Sequence, residues 1–352
     1  MVPASTGSRA IADAVADELR SFFASRRALV DSVGPDFARA AADLESFVMR
    51  GGKRVRPAFA WLGWLGADGS ADDQRVFRIC AALELIQACA LIHDDIIDSS
   101  RTRRGFPTVH VAYAARHREQ HWLGAADHFG SSVAIIVGDL ALAWADDMVR
   151  EGGLTGPAGD VWTAMRTEVL GGQLLDIVGE ADGNETVDSA LRINRFKTAA
   201  YTIERPLHLG AALAGADAAL IDAYRTFGTD VGIAFQLRDD LLGVFGDPEV
   251  TGKPSGDDLR EGKRTALLAI ALERADAATA DLLRSKIGTE LTDDEVETLR
   301  AALAATGAVD DVEQRITDLT HKGLEALHAS STRDDIKQRL HELAEAATRR
   351  TF

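Results

Sequence analysis

The sequence predicts an all-α protein, a single-domain bundle of ten or more helices over residues 1–352. Three observations carry that expectation. Apolar residues recur at the three- and four-residue spacing of helix faces through most of the chain. No segment alternates with the two-residue period of a strand over a useful length. Alanine is abundant enough for helices to pack closely, and no compositional break marks a domain boundary.

Ser8 to Val30 reads as an amphipathic helix, with Ile11, Val15, Leu19, Phe22 and Phe23 at helical spacing. Asp36 to Met49 is a second helix, stopped by Gly51-Gly52. The basic run Lys53-Arg54-Val55-Arg56-Pro57 follows, its proline placed to open the next helix. Ala58 to Gly66 is apolar and ends at the Asp68-Gly69-Ser70 turn. Ala71 to Ser99 is a long apolar helix, and Arg101 to Pro107 a basic loop. Arg116 to Phe129 reads as irregular, and Ser132 to Glu151 as an apolar helix. Val161 to Gly179 and Val187 to Leu213 are helical, the latter with a kink expected at Pro206. Asp217 to Gly246 is strongly helical. The polar loop Asp247 to Lys263 holds three glycines, two prolines and five acids. Thr265 to Ala305 and Val309 to Arg350 supply the remaining helices, split near Gly288 and Gly307.

The net charge of −16 argues against general affinity for nucleic acid or an anionic membrane, both of which want a basic face. Local basic clusters carry more meaning against that background. Cys80 and Cys89 are nine residues apart in one helix, on opposite sides, and cannot bridge. Reduced thiols and a cytoplasmic location are the expectation. The N-terminus shows no apolar signal core. The apolar stretch Ser131 to Ala145 is interrupted by Asp139 and too short to span a bilayer, so no transmembrane segment is expected.

Chemistry concentrates at Leu91-Ile92-His93-Asp94-Asp95-Ile96-Ile97-Asp98, where three carboxylates fall within five residues at a helix C-terminus. Asp94 and Asp98 share a face one turn apart, with Asp95 beside them. Like charges at this spacing repel, and the helix dipole disfavours acids at this end. A divalent cation relieves both. An all-oxygen, carboxylate-rich donor set that leaves positions open suits magnesium shared with substrate phosphates; a solvated acidic helix end is the plain alternative. A second acid pair, Asp239-Asp240, also lies in a long apolar helix, which suggests two facing helices aiming carboxylates at one cavity. Lys53 and Arg56, Arg103 and Arg104, Lys197-Thr198, and Lys253 and Lys263 each have an ordinary reading as solvated or charge-compensating residues. Together, in this order, they suit an anionic substrate.

The segments GGKRVRP (Gly51–Pro57), LIHDDIIDSSRTRRGFPTVH (Leu91–His110), GQLLD (Gly172–Asp176), KTAAYT (Lys197–Thr202), FQLRDDLLGVFGD (Phe235–Asp247) and GKPSGDDLREGKRT (Gly252–Thr265) resemble the trans-isoprenyl diphosphate synthases. The resemblance covers about residues 45 to 270. It implies the isoprenoid synthase fold, helices around a central cavity, a homodimer, and magnesium, three ions with substrate bound. It implies that isopentenyl diphosphate is joined to an allylic diphosphate (dimethylallyl, geranyl or farnesyl). By position, Asp94 and Asp98 resemble direct magnesium ligands supported by Asp95, with Asp239 a ligand of the third ion and Asp240 its neighbour. Arg103 resembles the arginine that holds the allylic diphosphate. Lys53, Arg56, Arg104 and Gln87 resemble the isopentenyl diphosphate site. Lys197, Thr198, Gln236, Lys253 and Lys263 resemble the allylic diphosphate site. The chain departs from the family at Gly243, where the second acidic motif has a third aspartate.

That chemistry explains the residue types. Breaking the allylic carbon–oxygen bond leaves a highly charged diphosphate and a carbocation, and cations stabilise the leaving group. No protein nucleophile is needed. Small residues at Cys89 and Ala90, with Ile86 a turn deeper and Trp144 as a facing candidate, suggest a floor that admits a product beyond fifteen carbons. The expected product is geranylgeranyl diphosphate, with a longer polyprenyl chain as the alternative. A metal phosphohydrolase using His93-Asp94 as an HD pair, a terpene cyclase and a non-catalytic synthase subunit are the rivals. His110, His117, His121 and His128 lie at no recognisable ligand spacing. Lys53, Arg56 and Arg104 argue against a cyclase, which needs no second diphosphate site.

Overall fold

Helix α4 (Gln74–Ile97) is apolar around its whole circumference, from Val76, Phe77 and Ile79 to Ala88, Cys89 and Ile92, all buried. A helix of that kind has to be enclosed by others. In this computed structural model, which describes residues 8–50, 52–247 and 256–349, it is. The chain divides into two compact units, Met1–Val161 with Leu209–Gly215, and Trp162–His208 with Ala216–Phe352.

In the first unit α4 packs mainly on α6 (Ala126–Glu151) and also on α1 (Ser8–Val33), α2 (Pro35–Met49), α3 (Val55–Gly66) and α5 (Val109–Glu119). Asp73 caps its N-terminus by accepting from the backbone N–H of Arg75 at 3.1 Å. Trp61 of α3 stacks on Phe77 with ring centroids 4.2 Å apart. Trp144 of α6 meets Phe22 and Phe23 of α1 edge to face. Among the described residues, α4 is the one helix long and apolar enough to cross a membrane; its apolar window is 72% buried inside the structure. Cys80 and Cys89 on this helix are both buried and unbridged.

The second unit takes most of α7 (Gly156–Asp182), then α8 (Val187–Ile193), a π-helical stretch Asn194–Glu204, and the start of α9 (Arg205–Leu213), whose remainder from Leu209 belongs to the first unit. Its long α10 (Ala218–Phe245) is capped by Asp217, which accepts from Leu220 N–H at 2.8 Å. α11 (Asp257–Glu261), α12 (Ala266–Arg274), α13 (Ala277–Lys286), α14 (Asp293–Ala305), α15 (Ala308–Ala329) and α16 (Asp334–Thr348) follow. α10 packs chiefly on α15 and the π stretch. Leu237, Leu241, Leu267, Ile270, Leu299 and Val312 belong to its core.

The all-α expectation holds, with local corrections. The histidine-rich segment expected to be irregular from Arg116 is helical to Glu119, and α6 starts at Ala126. α5 has little apolar periodicity, so its helix follows from packing on α6 rather than from pattern. Pro206, where a kink is expected, is the second residue of α9, and the irregular π stretch Asn194–Glu204 runs into that helix without a break. One small antiparallel ribbon interrupts the helices: Thr102–Arg103 pairs with Phe106–Pro107 in the register Arg103↔Phe106. Its two-residue loop has positive φ at both Arg104 (55°) and Gly105 (77°), the geometry that suits the twist of a tight hairpin.

Candidate active site

In the first unit the acids at the end of α4 and the basic segments around them form one charged cluster. Asp95 is buried and Asp94 half-buried, while Asp98 is the C-cap, its N–H bonding the Asp94 carbonyl at 2.8 Å. The hairpin places Arg103 over them. Its Nε donates to Asp95 Oδ1 at 2.7 Å and its Nη2 to Asp94 Oδ2 at 3.3 Å. Burial of the Arg103 guanidinium opposes its charge, but the Asp95 hydrogen bond and the charges of Asp95, Asp94 and Asp98 outweigh that and hold it above the usual arginine range. The charge compensation read as the ordinary role of Arg103 is therefore present.

A second group of cations surrounds a carboxylate that the sequence reading passed over. Glu84, buried in α4, is ion-paired with buried Arg54, which also donates to the Val48 carbonyl at 2.8 Å. Removing one partner of such a buried pair costs about 3–5 kcal/mol. Arg104, set against Gly52, is pushed down from the ordinary arginine value, first by desolvation, with Glu84 opposing and Arg103, Arg54 and Arg56 adding. Glu84 thus sits among Arg54, Arg56 and Arg104, while Lys53 is exposed beside them and Gln87, one turn along α4 from Glu84, is half-buried. Arg54 (φ 48°), Ser99 (φ 53°) and Arg104 (φ 55°) all hold left-handed backbone, a conformation that costs energy for residues other than glycine and often marks functional segments. The signal for Glu84 was available: it is the one acid inside the run from Val76 to His93.

His93 does not serve as a metal ligand partner of Asp94. Its Nε2 lies 3.2 Å from the Ile135 carbonyl of α6, and its Nδ1 lies 3.7 Å from Cys89 Sγ. Gly138 makes room for the ring, since an added Cβ there would overlap it. The HD-hydrolase reading loses its histidine to helix packing.

The second unit treats its acids differently. Asp240 is buried and accepts from Gln236 Nε2 at 2.8 Å and Asn194 Nδ2 at 3.4 Å. Desolvation above all, and then the nearby charges of Asp258 and Asp239, push its carboxyl up to about 7 against the pull of those amides. Lys197, in the π stretch with half-buried Thr198, is ion-paired with Asp176 of α7. Lys263 pairs with Glu261 at 2.8 Å and reaches Asp258 at 3.7 Å. Lys253 lies outside the described residues. Arg238, between Gln236 and Asp239, grips Glu313 with both terminal nitrogens at 2.6 Å and donates from Nε to the Thr348 carbonyl.

Among the described residues no three histidine, cysteine or acidic side chains form a ready-made metal cage. The donor chemistry nonetheless fits magnesium, which keeps most of its positions for water and substrate phosphate and takes one or two carboxylates from the protein.

The sequence model of the polyprenyl synthetase family matches residues 39–305. The chain belongs to that family. It is 35% identical over 283 residues to geranylgeranyl diphosphate synthase of Mycobacterium tuberculosis, covering 79% of this chain and 75% of that one. It is 34% identical over 276 residues to geranylfarnesyl diphosphate synthase of Aeropyrum pernix, covering 76% and 80%. Among solved structures, geranylgeranyl pyrophosphate synthase of Corynebacterium glutamicum, complexed with isoprenyl diphosphate and magnesium, matches with a TM-score of 0.93 and 50% identity over 97% of this chain and 99% of that one. Further relatives carry names from farnesyl to nonaprenyl diphosphate synthase. The chain is accordingly a prenyltransferase of the trans-prenyl diphosphate synthase type with the isoprenoid synthase fold.

The raised carboxyl of Asp240 has a stability consequence of definite sign. Its folded value near 7 lies above the ordinary carboxylate value, so the folded protein binds more protons between the two. Stability is therefore greatest below the ordinary value and falls as pH rises toward about 7. In chelator, melting curves should show Asp240→Asn gaining on wild type on the order of 5 °C more at about pH 8 than at about pH 5. Parallel pH profiles for the two proteins would contradict this account of Asp240.

Proposed function

We propose that the protein condenses isopentenyl diphosphate with an allylic diphosphate and releases geranylgeranyl diphosphate. One observation carries the reading most directly: α4 presents an acidic end and, through Glu84, a nest of arginines within the same unit. A diphosphate held through cations and a second held by guanidinium groups are what the condensation requires, whereas a cyclase or hydrolase needs one.

Asp94 and Asp98, with Asp95 in support, would hold magnesium, as would Asp239 with Asp240. Magnesium, when bound, supplies charge stabilisation for the departing diphosphate. Arg103, bonded to Asp95 and Asp94, would hold the allylic diphosphate. Lys197, Thr198, Gln236, Lys253 and Lys263 bind that diphosphate. Lys53, Arg56, Arg104 and Gln87 bind isopentenyl diphosphate, with Glu84 holding the guanidinium groups in place against their mutual repulsion. The apolar side chains of α4 behind the acids exclude water from the cation.

Geranylgeranyl as product is supported by Ile86 and Cys89, buried on α4, by the small Ala90, and by Trp144, whose ring is fixed by Phe22 and Phe23. The homodimer is supported by α7, which exposes Leu170, Leu174 and Val178 at four-residue spacing, with Ile177 and Leu175 beside them. Sedimentation of the wild type at monomer mass would remove the dimer.

Pyrophosphate release should require magnesium and both substrates together. Asp94→Asn or Asp98→Asn should lower turnover by about two to three powers of ten, and Asp239→Asn should cost more than Asp240→Asn. Release from the allylic substrate alone, or equal small losses in all four variants, would contradict the assignment. For chain length, chromatography of dephosphorylated products should show shorter chains from Cys89→Phe and Ala90→Phe than from wild type. An unchanged product distribution would place the floor elsewhere.

A further inference from the structure

Gly171 and Gly172 stand side by side in the interior of α7, where glycine weakens a helix relative to alanine. Their surroundings differ. A Cβ added at Gly171 would meet nothing within 4 Å. One added at buried Gly172 would overlap the backbone of the π stretch: the Lys197 nitrogen, the Phe196 carbonyl carbon at 2.6 Å and the Lys197 Cα at 2.7 Å. Backbone cannot turn aside as the far end of a side chain can. From α10 the same stretch is approached as closely. A Cβ at Gly232 would stand 2.6 Å from Ala199 Cβ and 2.7 Å from its Cα, and one at Gly228 would overlap the Glu204 Cα. Residues two apart in a helix point to nearly opposite sides, so Lys197 and Ala199 are held from two directions. The stretch cannot move off α7 without meeting α10. Its wide turns are of a rare kind that is frequent at functional sites. The backbone of Lys197 rests on Gly172, and its ammonium pairs with Asp176, one turn further along α7.

We propose that Gly172 and Gly232 are positioning residues for the condensation, fixing the π stretch between α7 and α10 so that the Lys197 ammonium stands where the allylic diphosphate binds. The inference rests on the reading of Lys197 as a ligand of that diphosphate. Both glycines act through the lysine and not on the substrate. A methyl group at either position pushes the backbone that carries Lys197 off its support and changes the reach of the ammonium. The helix propensity given up at Gly172 is thereby explained by a contact that alanine would break.

The test is steady-state kinetics of the full-length protein with magnesium, isopentenyl diphosphate and farnesyl diphosphate, at a temperature where melting curves show each variant folded. Gly171→Ala has room for its methyl group and should match wild type. Gly172→Ala and Gly232→Ala should each lower kcat/KM for farnesyl diphosphate by about 10²-fold, the scale of a misplacement of about 1 Å, and leave KM for isopentenyl diphosphate within about twofold. In a Lys197→Ala background the same substitutions should cost less than about threefold more, since the group they misplace is already gone. Losses that multiply in full in that background, or that fall equally on isopentenyl diphosphate, make the glycines general packing residues and overturn the proposal. So does a Gly172→Ala protein that matches wild type while Lys197→Ala is impaired, an outcome that leaves the reading of Lys197 intact. Where Gly172→Ala does not fold, Gly232→Ala is read in its place by the same criteria, and failure of both to fold overturns the proposal. Lys197→Ala with unchanged kcat/KM for farnesyl diphosphate overturns the reading of Lys197 and the proposal together.

Discussion

Charge buried in an apolar helix has to be matched, and α4 carries two such charges. Glu84 and Asp95 are both buried among its alanines, leucines and isoleucines. Left alone, each would cost several kcal/mol or take up a proton. Each is answered by arginine: Glu84 by Arg54 from the entry to α3, and Asp95 by Arg103 from the hairpin. These pairings tie two segments to the one helix that the first unit encloses. The left-handed backbone at Arg54, Ser99 and Arg104 follows, since the chain has to bend sharply to bring the guanidinium groups back to α4.

The two units solve the same electrostatic problem by different means. Around Asp94 and Asp95 the partner is a guanidinium, which brings positive charge to the acids. Around Asp240 the partners are the amides of Gln236 and Asn194, which donate hydrogen bonds without bringing positive charge. That carboxyl gives up its proton less readily, and a cation arriving there competes with it. Beside them, Arg238 reaches Glu313 and the Thr348 carbonyl.

Much of this was legible in the sequence. Periodicity located α4, α6 and α10, and Asp94, Asp95, Asp98, Arg103 and Arg104 were named from the chain, whereas Glu84 and its partner Arg54 were not. What the sequence could not show is which partner each charge takes. Arg54 looks like its neighbours in a basic run and Arg238 like a counter-charge to the acids after it, yet one is buried against Glu84 and the other bonds Glu313 and Thr348. The π stretch, which packs against α10, was hidden because its residues read as ordinary helix formers. Nor could the sequence show that the carboxylate of Asp258 lies against Gly243, where an added Cβ would meet it.

The anchoring of Arg238 also bears on the order in which the molecule matures. The acids of α4 find Arg103 only 8 or 9 residues further on, and Arg54 finds Glu84 across 30. Those contacts can close while later parts of the chain are still being synthesised. Arg238, by contrast, waits for the carbonyl of Thr348, 110 residues away, and for Glu313 on α15. Its helix therefore stays unbraced beside Asp239 and Asp240 until α16 has emerged and docked. A nascent chain would complete its arginine-lined half first, and the half that carries the second acid pair would set only at the end of synthesis.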